Sequence, residues 1–227
     1  MQQQLLLDVF TPPPARLDNF LTGDNAELLA QVRQHAVGTA IDRTLFIHGP
    51  SGCGKSHLLK ALAAHWRVPA IDGRERFGWR RQAAYLLVDD VQHLSSYSQV
   101  QLFNAINEAR NDGMPQYVVM TGDARPEALG VRDDLGSRLA WGLCYALAPL
   151  SDAQKSAALQ AAAAARGLHL SDEVIDFAQY HFRRDMGSLL AVLDGLDQFS
   201  LEQHKPVSLN LLRAWMKRRA SLVIRNS

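Results

Sequence analysis

Residues 43–66 read RTLFIHGPSGCGKSHLLKALAAHW, and the fold turns on how this stretch is parsed. Leu45, Phe46 and Ile47 form a short continuous apolar run, the pattern of a parallel strand buried on both faces. After a glycine-rich turn, Leu58, Leu59, Leu62 and Trp66 recur at helical spacing. Between the two, residues 49–56 fit G-x-x-x-x-G-K-[ST], so strand, loop and helix stand in the order that a phosphate-binding loop requires. Gly49, Gly52 and Gly54 let the backbone wrap so that N–H groups of the loop face phosphate oxygens, with Pro50, Ser51 and Cys53 at the positions that the motif leaves open. Lys55 neutralises the β and γ charges, Ser56 offers a hydroxyl to Mg²⁺, and His57 follows in the first helical turn, whose dipole favours anions. ATP or ADP with Mg²⁺ is the expected ligand.

The same alternation continues along the chain. Residues 25–37 carry Leu28, Leu29, Val32 and Ala36 at helical spacing. Strands are expected over residues 68–71, 85–88, "QYVVMTGD" and "LCYALAPL", with a helix over residues 100–109. Strands alternating with helices predict an α/β fold, a five-stranded parallel sheet with helices on both faces. After Pro149 no strand pattern appears. Ser151 with Gln154 makes a possible capping box, Gly167 stops the alanine-rich segment, and Ser208 is a candidate cap for the last helix. The expected organisation is a tail over residues 1–14, an α/β domain over residues 15–150, and a small all-helical domain over residues 151–227.

The third expected strand ends in "LLVDD". Asp89 can supply a carboxylate to the outer shell of the metal, and Asp90 can polarise an attacking water. Alone, such a pair could equally cap the following turn. Cys53 is open to two readings: a thiol made reactive by a helix N-terminus, or a small residue tolerated in the loop.

With 227 residues, a hydrophobic content of 47%, charged residues at 21% and a net charge of +1, the chain is ordinary globular material with no general pull on nucleic acid or membrane. The two cysteines and the lack of a signal sequence point to the cytoplasm. At the N-terminus, the run QQQLLLDVF is far too short to span a bilayer, and Pro12–Pro14 hold it off the body. Lys217, Arg218 and Arg219 suit the last turn of a helix; nucleic-acid contact is the alternative.

Taken together, the loop, "VDDVQHL", "VVMTGDARPEALGV" and "LGSRLAWGLCYALAPLSDAQKSAAL" resemble the AAA+ ATPases of the DnaA clade, nearest to the DnaA-homologous regulators that inactivate the replication initiator. The resemblance covers nearly the whole chain and implies a AAA+ domain followed by a helical lid. It implies that Arg138 is an arginine finger reaching a neighbouring subunit's nucleotide, where the bland alternative is a surface salt bridge. Asp123 falls at the sensor 1 position, and Asp18, Asn19 and Phe20 fall near the adenine. It further implies that Gln4, Leu5, Leu7 and Val9 bind the DNA polymerase III beta sliding clamp, giving an indirect association with DNA. Assembly with further copies of itself is left open.

Two departures matter. Only 34 positions separate Lys55 from Asp89, too few for the added helices with which initiators grip single strands. Gly187 stands where the family usually presents a sensor 2 arginine, with Arg183 and Arg184 about a turn earlier, so intrinsic hydrolysis is expected to be weak. The implied function is a clamp-bound adaptor stimulating hydrolysis of ATP on DnaA. The alternatives are a self-contained ATPase such as a helicase loader, or a nucleotide-gated single-stranded-DNA-binding module.

Overall fold

Period-two alternation in three adjacent strands builds the sheet domain. In β1 (Thr44–His48), Leu45 and Ile47 enter one core while Phe46 enters the other. In β3 (Tyr85–Asp89), Leu87 takes the first side and Leu86 and Val88 the second; in β4 (Tyr117–Gly122), Val119 is opposed to Val118 and Met120 in the same way. Strands apolar on both faces must be covered twice. Helices α1 (Ala26–Ala36) and α2 (Lys55–Trp66) cover one face through Leu28, Val32, Leu58 and Leu62. Helices α3 (Ser96–Arg110) and α4 (Asp133–Leu139) cover the other through Leu102, Ile106, Leu135 and Leu139. With β2 (Ala70–Asp72) and β5 (Leu143–Ala146), the order is β2-β3-β4-β1-β5, every pair parallel.

The computed structural model describes residues 14–78, 83–111 and 113–225, with side chains through Arg219. The proposed clamp residues Gln4, Leu5, Leu7 and Val9 lie outside the described residues. Contacts separate a unit of Pro14–Pro149 from one that begins at Leu150. Two expected elements shift, and one unexpected element appears. The second strand starts two residues late, at Ala70. Helix α3 starts at Ser96, four residues early, because Ser95 caps it by accepting from the Ser98 amide at 3.2 Å. Helix α4 was not anticipated: it is seven residues long, too short for a clear periodic signal.

The second unit contains α5 (Asp152–Ala164), α6 (Asp172–His181), α7 (Met186–Gln203) and α8 (Leu209–Arg225). The Ser151/Gln154 capping box forms in both directions, at 3.1 and 2.8 Å. Gly167 closes the α5 end at a φ of +71°, donating to the Ala164 carbonyl at 2.9 Å. The Ser208 hydroxyl accepts from the Leu211 amide at 3.3 Å. Leu159, Val174, Leu193, Leu212 and Trp215 share one core. On α8, Arg218 pairs at the surface with Glu202 at 2.6 Å and lies over Phe199, and Arg219 lies over Trp215. Helix α8 runs on to Arg225, so Lys217, Arg218 and Arg219 lie in mid-helix and the expectation that they form a charged last turn is corrected. No described helix is long and apolar enough to cross a membrane.

Candidate functional site

Because all five strands run parallel, the carboxyl ends of β1, β4 and β3 lie along one edge, with β4 in the middle. At the usual spacing between strands, the chain leaving β1 and Asp89 leaving β3 are about 10 Å apart. That gap suits a phosphate held by one and a metal held by the other.

The glycine-rich loop sits at the end of β1. Its first residue, Gly49, donates to the Gly122 carbonyl at 3.2 Å, which ties the loop to the end of β4. A Cβ there would lie 2.6 Å from the Leu147 carbonyl oxygen, so only glycine fits. Gly52 and Gly54 take φ of +80° and +113°, left-handed conformations that carry the backbone around the turn. Pro50, Ser51 and Gly52 are exposed, and Ser56 and His57 are half-buried. Gly54 caps α2 with no side-chain acceptor, so no side chain competes for the first amides of that helix. Lys55 is 6% exposed, and its ammonium donates to the carbonyls of Gly49 at 2.7 Å and Pro50 at 3.0 Å. His48, just before the loop, has its pKa lowered chiefly by burial, with the charges of Arg125 and Lys55 pushing the same way. A glycine cradle, an amide-lined helix start and a buried ammonium are the features a polyphosphate needs. Lys55 would meet the phosphates, and Ser56 with Asp89 would hold Mg²⁺, which supplies charge neutralisation there.

Cys53 is half-buried, and burial pushes its thiol pKa up, outweighing the Lys55 charge. Of the two readings of Cys53, burial therefore favours the small residue tolerated in the loop over the reactive thiol.

Of the three residues expected near the adenine, Phe20 reaches the loop. A Cβ at Gly54 would lie 2.9 Å from its ring. Asn19 instead organises its own segment, accepting from the Arg16 amide and donating to the Pro14 carbonyl, both at 2.9 Å. Asp18 is exposed on the same 3-10 turn, Leu17–Asn19. His57 turns toward this segment, with Nε2 3.2 Å from the Arg16 carbonyl and 3.0 Å from Asn19 Oδ1. Burial is the first cause of its lowered pKa.

At the other side of β4, the sequence reading missed Thr121. It is fully buried, donates its hydroxyl to Asp89 Oδ1, and accepts from the Asp90 amide at 3.0 Å. A hydroxyl at the end of an otherwise apolar buried strand was the available signal. Asp90 is left-handed at a φ of +52°, and its carboxylate meets the Gln92 amide at 3.2 Å and Arg74 at 3.4 Å. Asp123 is exposed one residue past β4.

Arg138 lies in the last turn of α4, half-buried. Its guanidinium carbon is 3.8 Å from the Trp141 ring centre and 5.4 Å from that of Phe103, on α3. Among the described residues no carboxylate forms an ion pair with it. Arg183 pairs with Asp185 at 3.1 Å, and Gly187 falls in the first turn of α7.

Comparison with known proteins places this geometry. The family described as "Hda, lid domain" matches residues 152–216, and "Bacterial DnaA ATPase domain" matches residues 74–146. An uncharacterized protein of Haemophilus influenzae is 30% identical over 94% of this chain and 98% of its own. Domain III of the Thermotoga maritima replication initiation protein DnaA superposes with a TM-score of 0.67 at 23% identity, over 92% of this chain and 99% of that one. A replication initiator DnaA bound to AMPPCP and single-stranded DNA gives 0.64 at 23%, over 86% and 70%. Thermotoga maritima RuvB, a Holliday junction branch migration motor, gives 0.63 at 16%, over 90% and 72%.

Proposed function

We propose that this chain, which belongs to the Hda-like, DnaA-homologous AAA+ proteins, restrains replication initiation by lending a guanidinium to the hydrolysis of ATP bound on DnaA. ADP or ATP with Mg²⁺ occupies its own loop, residues 49–56, and neutralises charge between that loop and Asp89. Gln4, Leu5, Leu7 and Val9 tether the protein to the DNA polymerase sliding clamp, which raises its local concentration near newly copied DNA. Docked on DnaA, Arg138 stabilises the charge that develops as water attacks the γ-phosphorus and ADP departs. DnaA is left in its ADP form.

Arg138 is the observation that carries this reading. An arginine serving only as a surface ion pair would have a carboxylate partner, and this one stacks on an exposed aromatic ring instead. Gly187 at the start of α7 supports weak turnover on the chain's own nucleotide, which disfavours a self-contained ATPase.

The test mixes ATP-loaded DnaA, DNA-loaded clamp and this protein, and follows ADP production. Arg138→Ala is expected to lower the stimulated rate by about 10²-fold or more. A Leu5→Ala/Leu7→Ala chain is expected to lose the clamp dependence. Wild-type rates from both variants would overturn the reading.

A further inference from the structure

Trp141 is the one large apolar side chain among the described residues that is both mostly exposed, at 58%, and stacked on arginine from two helices. Arg138 comes from the last turn of α4 at 3.8 Å, and Arg110 from the last turn of α3 at 4.5 Å. The two guanidinium groups carry like charge, so one indole ring in contact with both needs a compensating field. Both helices end here, and their C-terminal carbonyls supply partial negative charge to the two cations. The ring faces supply more through the aromatic quadrupole.

The backbone around Trp141 is fixed on both sides. Leu139 is 1% exposed, and the Trp141 amide donates to the Arg138 carbonyl at 3.2 Å. On the far side, a Cβ at Gly142 would run into the Thr44 hydroxyl and carbonyl, so β5 starts in direct contact with β1 at that point. The backbone that carries the indole is thus held in place. The indole is a poor choice for a solvent-facing residue and a good one for holding a long, rotamer-rich side chain in one place.

We infer that Trp141 is a positioning residue: it holds the Arg138 guanidinium in one place, with Phe103 as a second wall. This rests on the proposed role of Arg138 and adds the residue that orients it. The aromatic stack restricts Arg138 before the partner arrives, so less ordering remains when it meets the phosphates. Trp141 touches no reacting atom and acts only through Arg138.

The experiment uses the stimulated hydrolysis assay at saturating DnaA with the full chain. Trp141→Ala is expected to lower the maximal rate about two- to fivefold, the ratio an exposed cation–π contact is worth, with the half-saturating concentration unchanged. Trp141→Phe is expected to retain most of the rate. Adding Trp141→Ala to Arg138→Ala is expected to cost nothing further, because one residue works through the other. A spectroscopic check needs no partner: ring currents are expected to move the Arg138 Nε–H proton upfield in the wild type, and Trp141→Ala is expected to reduce that displacement to what Phe103 leaves. An unchanged rate in Trp141→Ala, or a double variant worse than Arg138→Ala by the full single effect, would overturn the inference. A wild-type rate from Arg138→Ala would instead remove the function on which it rests.

Discussion

The Thr121 hydroxyl, on β4, donates to the carboxylate of Asp89, on β3, and at the same time accepts the amide hydrogen of Asp90. One buried side chain thus fixes both carboxylate-bearing residues next to the loop. The Gly49 amide, bonded to the very next carbonyl of β4, ties the loop to the same strand end. The loop and the Asp89 carboxylate are therefore held by two consecutive residues of one strand.

Thr121→Val keeps the shape of the side chain and removes both hydrogen bonds, leaving a carboxylate oxygen and an amide unsatisfied. Stability is expected to fall by about 1–3 kcal/mol, read from urea midpoints, and Thr121→Ser is expected to recover part of it. An unchanged midpoint would mean that water replaces the hydroxyl freely.

Lys55 has its ammonium among loop carbonyls, ready for phosphate oxygens. Lys55→Ala is expected to weaken ADP binding by about 10- to 100-fold, the range of charge-assisted hydrogen bonds. Titration with a fluorescent ADP analogue measures it. Equal affinity would take the loop out of phosphate contact.

His35 is fully buried; its Nδ1–H donates to the Gln31 carbonyl at 2.8 Å, and its Nε2 has no partner. Burial is the leading cause that lowers its pKa, and His48 and His57 shift the same way for the same first reason. A base with a depressed folded pKa is neutral in both states above about pH 6.5, so stability is full there. As the pH falls below that value the unfolded chain takes up protons first, and stability is lost until the folded pKa is passed. Urea midpoints between pH 7.5 and 5.5 should fall, and His35→Leu should flatten the slope. A midpoint rising on acidification would contradict burial as the cause.

Gly142 lets the start of β5 approach the backbone of Thr44. Gly142→Ala is expected to cost about 1–3 kcal/mol through overpacking. Thermal unfolding tests it, and a wild-type midpoint would show that the β5 edge yields freely. The same variant tilts the platform under Trp141, so a reduced stimulated rate should accompany it.

Much of the molecule was legible in the residues alone. The loop of residues 49–56, the strand before it and the helix after it are local patterns, and so are the apolar runs of β3 and β4 and the capping box at Ser151. Each is written within a few consecutive positions, because backbone conformation and facing depend on near neighbours. Helix α4, seven residues long, left too little periodicity to be seen. The two readings of Cys53 could not be separated from the loop motif alone, because burial is a property of the packed domain.

Sequence by itself determined which segments would be strands or helices and which residues could meet a phosphate, since those properties follow from local spacing and side-chain chemistry. Only the tertiary structure decided that β4 lies between β1 and β3, that Thr121 therefore meets Asp89 from 32 positions away, and that Arg138 leans on Trp141 and Phe103. Those relationships depend on which distant segments become neighbours when both faces of the sheet are covered, and no short window of sequence encodes that choice.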